Sequence, residues 1–255
     1  MPTHPFETVL YQKCGPVAHV VLNRPNVINA FNVQMRDDLS EVLAAIRWDS
    51  DVRVLLLRGA GERGFCAGAD LTEFGTAPSQ MAARQARWER DIFGDLRDLK
   101  IPTVAAMHGH VVGSGVELAL LCDIRIAANN AVFSMPETYY GLIAAAGGTQ
   151  LLRMAIGQGR ALDMLLTGKS IGASEAHDIG LVQRVVLPTE LETESEKIVR
   201  KLGSNDPRLL AATKTALAAA RDLSLLDGLA RERRLSIMLD RISEAIEHTS
   251  EHGTH

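Results

Sequence analysis

Residues 52–58 read VRVLLLR, and no other stretch constrains the fold as tightly. The run has strand length and is almost wholly apolar. That suits a strand covered on both faces rather than one with a wet side. Covering helices are legible nearby. Met35, Leu39, Val42, Leu43 and Ile46 fall at helical spacing, and Asn32 is placed to cap that helix. Thr8 to Lys13 and Pro16 to Leu22 read as two short strands around a Cys-Gly-Pro turn. Further strands are expected at Pro102 to Met107, Ile124 to Ala128, Val132 to Ser134 and Val182 to Val186. An irregular loop is expected over 71–81 and a polar helix from Met81 to Leu99. Ser174 and Gly180 bracket a short helix as N-cap and C-terminal glycine. Past residue 190 the pattern is helical: about 190–202, 207–221 with Asp206 as cap and Pro207 at its first position, and 224–248. Strand-helix units followed by a helical end place the chain in the α/β class. The division is a core over 1–190 and a helical region over 191–255.

Composition closes off some functions. The chain has 255 residues, 46% hydrophobic and 23% charged, with a net charge of −4. Nothing in that balance draws it to nucleic acid or to an anionic membrane. No stretch reaches the ~20 apolar residues of a membrane span. Cys14, Cys66 and Cys122 are odd in number and far apart, which reads as a reducing compartment without a disulfide framework. With no signal segment evident at the start, a cytoplasmic protein is expected.

Two glycine-rich turns follow apolar strands. One is Phe65-Cys66-Ala67-Gly68-Ala69-Asp70, and the other runs from Gly109 to Gly115 and opens a helix. Such turns bring backbone N–H groups close to a ligand, and two of them can aim at one oxygen. They also serve as ordinary strand-to-helix connections. Glu117 then lies inside the apolar run GVELALL, and Glu137 follows a proline twenty positions on. A buried carboxylate is costly unless paired, hydrogen-bonded or protonated. Two acids in unlike settings can work as base and acid. Taken singly, Glu117 also reads as a helix residue paired with Arg125, and Glu137 as a solvated loop acid.

Three other readings are weaker. Ser114 with His108 or His110 and Asp123 lacks the GxSxG elbow of a serine hydrolase. His248, His252 and His255 lie on a polar tail with no supporting acid or cysteine cluster, so no metal site is expected. Arg84, Arg87, Arg90 and Arg97 form a basic stripe, but Glu89, Asp91, Asp95 and Asp98 interleave with it, as on a solvated helix face.

The motifs in order are specific. They run through Leu22-Asn23-Arg24-Pro25, Asn29-Ala30, Phe65 to Leu71, His108-Gly109, Glu117-Leu118-Ala119, Cys122-Asp123, Pro136-Glu137, Gly141 and Gly147-Gly148-Thr149-Gln150. Leu166-Thr167-Gly168, Ala173 to Ala176 and Gly180-Leu181-Val182 complete them. In this the chain resembles the crotonase superfamily, and within it enoyl-CoA hydratase, over roughly residues 8–225. The resemblance implies a spiral of ββα units with a helical C-terminal trimerisation region. It implies an acyl-CoA thioester substrate, no separate cofactor, and a homotrimer or dimer of trimers. It makes Glu117 and Glu137 the catalytic pair and the N–H groups of Ala69 and Ser114 the oxyanion hole. Arg24, Asn29, Ala30, Ala67, Gly68, Asp70, Leu71 and Gly113 would contact the CoA ester. Phe74, Tyr140 and Ala145 would line the acyl pocket. The implied activity is hydration of a 2-enoyl-CoA. The alternatives are Δ3–Δ2 isomerisation, an alicyclic or dienoyl substrate, or an RNA-binding relative.

Three departures from the family pattern stand out. Ser114 replaces a usual glycine. Ala144-Ala145-Ala146 replaces a usual Pro-Gly-Ala, which bears on water placement and pocket shape. The usual Phe-x-x-Lys-like ending is missing, which bears on the nucleotide part of CoA.

Overall fold

The computed structural model describes residues 6–252 apart from 80, 82–84, 86 and 87, with side chains through Asp240. Ten strands form two sheets. The larger has the order β1 (Val9–Cys14), β2 (Val17–Leu22), β3 (Val54–Gly59), β5 (Thr103–Met107), β7 (Ile124–Ala128), β10 (Arg184–Val186). The smaller has the order β4 (Gly64–Cys66), β6 (His110–Val112), β8 (Val132–Ser134), β9 (Ile171–Gly172). Pairing is parallel except for β1 with β2 and β8 with β9. Consecutive strands therefore alternate between sheets. β3, β5 and β7 enter the larger one, and β4, β6 and β8 the smaller. That is the expected spiral of ββα units.

The VRVLLLR reading holds in detail. Val54 and Leu56 pack on one face of the larger sheet with Val17, Val104, Ala106 and Ile126. Leu55 and Leu57 pack on the other with Ala18, Val20 and Ala105. Each of the valine, leucine and isoleucine side chains among these, fully buried, contributes on the order of 1.5–3 kcal/mol. The inner face is covered by α1 (Val33–Trp48), whose Met35, Leu39, Val42, Leu43 and Ile46 are all buried. Asn32 Oδ1 caps it by accepting from Met35 N at 3.0 Å. Next along the chain come α2 (Ile92–Arg97), α3 (Ser114–Leu121), α4 (Gly148–Ile156), α5 (Gln158–Thr167) and α6 (Ala173–Asp178). The last three helices are α7 (Leu191–Gly203), α8 (Pro207–Ala219) and α9 (Leu225–His252).

Two expectations change. The expected helix over 81–99 is broken at Arg90–Asp91, where Asp91 Oδ1 accepts from Gly94 N at 3.1 Å and starts α2 afresh. α6 is capped by Gly172, with no side-chain cap, rather than by Ser174. The C-terminal helices begin at Leu191. Ile198 and Val199 of α7 complete the outer cluster on the larger sheet. Of the basic stripe, Arg84 and Arg87 lie outside the described residues, Arg90 pairs with Asp37 and Glu41, and Arg97 pairs with Asp98. The histidine side chains at 248, 252 and 255 also lie outside the described residues. No described helix is long and apolar enough to cross a membrane.

Candidate active site

The two glycine turns meet. A Cβ built on Gly68 would sit 3.1 Å from the Val112 carbonyl oxygen and 3.9 Å from Gly113 Cα. One built on Gly113 would sit 3.8 Å from Gly68 Cα. The two glycines have φ of +94° and +50°, where a side chain is strained. The residues that follow them are Ala69 and Ser114.

The direction of the Ala69 amide follows from its pairing. Phe31 N donates to Gly68 O at 2.8 Å, and Asp70 N donates to Phe31 O at 2.9 Å. Phe31 and Ala69 thus form a parallel bridge. In such a bridge the central residue's own N–H points to the opposite edge. For Ala69 that is the edge away from Phe31. Ser114 opens α3, so its N–H belongs to the first helical turn, whose amides have no intrahelical acceptor. The first helical bond is Glu117 N to Gly113 O at 3.0 Å.

Arg24, Asn29 and Asp70 hold this arrangement in place. Asn29 is fully buried in a left-handed conformation, φ +55°. Its Nδ2 is within 2.9–3.1 Å of the carbonyl oxygens of Ala60, Gly64 and Phe65, and its Oδ1 accepts from Arg24 N at 2.9 Å. Every polar atom of that side chain is committed inside the protein, so a contact of Asn29 with the CoA ester would fall to its backbone. Arg24 donates to Ala30 O at 2.6 Å and to Asp70 Oδ2 at 2.9 Å. Hydrogen bonding from Thr72 and then the Arg24 guanidinium hold the Asp70 carboxyl below its usual range. Arg24 and Asp70 therefore clamp the segment 67–71 onto 24–31. Ala30 and Ala67 are half-buried, and Gly68 and Gly113 are buried. Leu71, Phe74 and Tyr140 are exposed, as is Ala145.

The two glutamates have opposite surroundings. Glu117, on α3, is 2% exposed. Its Oε1 accepts from Ala146 N and from Gly148 N, each at 2.9 Å. The departure Ala144-Ala145-Ala146 thus retains a backbone donor to this acid. Arg125 is not its partner, for its guanidinium donates to Leu181 O at 2.6 Å and Cys122 O at 2.8 Å. Glu137 starts a short 3-10 turn, Glu137–Tyr140. Its Oε1 lies 2.6 Å from where a Gly113 Cβ would stand. Its Oε2 is buried without a hydrogen-bond partner among the described residues. Burial pushes the Glu137 carboxyl above its ordinary pKa. A hydrogen bond from its own backbone amide opposes the shift, and the nearby Glu117 charge adds to it. Glu137 is therefore not a solvated loop acid. The donors Ala146 and Gly148 escaped sequence reading, because a backbone amide leaves no mark in residue type.

Sequence and structural relatives agree with this geometry. Residues 12–246 match the enoyl-CoA hydratase/isomerase family pattern. The chain is 40% identical to the (E)-benzylidenesuccinyl-CoA hydratase of Thauera aromatica, over 84% of this chain and 83% of that one. It is 38% identical to the short-chain-enoyl-CoA hydratase of Clostridium acetobutylicum, over 83% and 81% of the two chains. An enoyl-CoA hydratase subunit from Geobacillus kaustophilus superposes with a TM-score of 0.87 at 34% identity, covering 96% of this chain and 94% of that one. With its motifs, its alternating sheets and its two unlike glutamates, the chain belongs to the enoyl-CoA hydratase/isomerase family.

Proposed function

We propose that the protein adds water across the 2,3 double bond of a 2-enoyl-CoA thioester to give the 3-hydroxyacyl-CoA. The observation that carries this is the division between the two acids. Two amides donate to Glu117 Oε1 and fix the direction of its carboxyl. That suits a base that takes the proton from water. Glu137 keeps a buried oxygen without a partner among the described residues, and burial raises its pKa, which suits the acid that gives a proton to Cα. As water adds at Cβ, negative charge moves to the thioester oxygen. The Ala69 and Ser114 N–H groups receive it, and losing one such donor typically costs ~10²–10³ in rate. Because those donors take up the enolate charge, we assign no metal or redox cofactor. A Δ3–Δ2 isomerisation needs chiefly one proton shuttle and leaves the tightly held Glu117 without a task.

Backbone at Ala30, Ala67, Gly68 and Gly113, with Leu71, forms the proposed CoA-ester contact. Phe74, Tyr140 and Ala145, all exposed, form the proposed acyl rim. The proposed homotrimer or dimer of trimers rests on family likeness and on exposed apolar residues of the last helices, Leu209, Leu217, Leu225 and Leu226. A reducing, cytoplasmic setting fits three free cysteines, of which Cys66 and Cys122 are buried. The test is loss of the conjugated enoyl-thioester absorbance with crotonyl-CoA and a panel of longer, cyclic and aryl-substituted enoyl-CoAs. Turnover abolished by both Glu117→Gln and Glu137→Gln supports hydration. Retained double-bond migration in Glu117→Gln points to the isomerase instead.

A further inference from the structure

Glu117 is fixed at its carboxyl group, whereas Glu137 takes its place from the backbone of its turn. That turn rests on a distant helix. Thr138 Oγ1 donates to Leu165 O at 3.0 Å, and Tyr139 Oη donates to Thr167 O. Both acceptors lie in the last turn of α5, where carbonyls have no intrahelical donor. The Tyr139 ring also covers Gly168, the left-handed C-cap of α5, φ +60°. A Cβ at Gly168 would stand 2.3 Å from the ring, so only glycine lets it lie there. Within the turn, Leu142 N donates to Glu137 O at 3.0 Å and ties its exit to its start. The charged groups nearby are Glu117 from α3 and Lys169 just past Gly168, the latter paired with Glu175 at 2.9 Å.

We propose that Thr138 and Tyr139 are positioning residues that pin the Glu137 turn to the open end of α5, setting where the acid lies against Gly113. The hydroxyls do two jobs at once. They satisfy helix-end carbonyls, and they fix a carboxyl that has no side-chain anchor of its own on Oε2. Releasing them lets the turn swing outward and water reach that oxygen. The kinetic part of this inference rests on the hydratase reading, and the titration part does not.

The experiment compares wild type with Tyr139→Phe, Thr138→Val and the double variant. The Glu137 carboxyl is titrated by 13C-glutamate NMR on the free protein, its resonance assigned by its loss in Glu137→Gln. Crotonyl-CoA kinetics and Tm are measured alongside. The expected result is a Glu137 titration that moves down toward the ordinary carboxylate range in the double variant. With it, kcat falls about tenfold at a KM kept within about twofold, as for a small misplacement of a reacting group. Tyr139→Phe retains the ring on Gly168, so folding is preserved and Tm reports it. A double variant whose Glu137 titration stays at the wild-type position overturns the inference, whatever kcat does. A titration that moves in a protein inert toward every enoyl-CoA sustains the pinning and sinks the hydratase reading instead.

Discussion

The Glu117 and Glu137 sides of the site use the same residue type and differ in almost everything else. Glu117 sits in a helix whose residues Gly115 to Leu120 are all buried, and two amides grip one of its oxygens. Glu137 sits on a turn whose next residues, Thr138 to Tyr140, are exposed, with one oxygen buried and unpartnered. The first environment fixes the carboxyl by two donors, and the second raises the pKa of its acid by burial. Under the proposed hydration, the surroundings of each carboxyl, and not the residue type, set its role.

The largest expected effect tests this division directly. Glu117→Gln keeps an acceptor for Ala146 N and Gly148 N, so the wall retains its shape and only the base is lost. We expect kcat to drop by roughly 10³–10⁴, at the upper end for acid–base groups. Glu137→Gln should cost about 10²–10³. Equal losses with unchanged pH profiles would break the comparison.

Two glycine substitutions probe the walls separately. Gly113→Ala puts a methyl 2.6 Å from Glu137 Oε1 and strains a residue with φ of +50°. A loss of about 10² in kcat is expected, of the size that a misplaced reacting group brings. Gly148→Ala meets Glu117 Oε1 at 2.9 Å, Met135 Cε at 2.8 Å and Ala144 Cβ at 2.7 Å. The Met135 methyl can yield but Ala144 Cβ moves only with its backbone, so about tenfold is expected. A Gly148→Ala enzyme more impaired than Gly113→Ala would reverse the claim that the Glu117 wall is the better supported.

The smallest effect is on pH dependence. Glu137 is raised in the folded protein by burial and by Glu117. Between the ordinary glutamate range and the raised value, the folded state binds more protons than the unfolded one. Stability therefore falls as pH rises through that window. Activity limited by protonated Glu137 falls in the same direction. Thermal melts and kcat/KM profiles should both show it, and Glu137→Gln should flatten the stability slope. A slope unchanged in that variant would place the titrating group elsewhere.

Much of this was legible in the residues. The two-faced VRVLLLR strand, the Asn32 cap, the Asp206 and Pro207 start of α8 and the order of catalytic motifs depend on local pattern, which residue types record. What escaped depends on distance along the chain. The Asn29 amide bridging carbonyls of Ala60, Gly64 and Phe65 leaves no local mark. The packing of Ile198 and Val199 on the larger sheet is likewise unmarked, because they look like any amphipathic helix face until the sheet arrives beneath them. The Tyr139 and Thr138 contacts to α5 span 28 and 27 residues and carry no periodic signature.

The meeting of Gly68 and Gly113 has a consequence for how the enzyme comes to life. Ala69 and Ser114 belong to successive turns of the spiral, so neither turn alone holds more than one donor. Refolding chains should regain helical circular dichroism before they regain turnover, because the proposed donors would face one oxygen only after the two turns have docked. Catalysis in this chain is a late clock of folding, set by the closing of one seam.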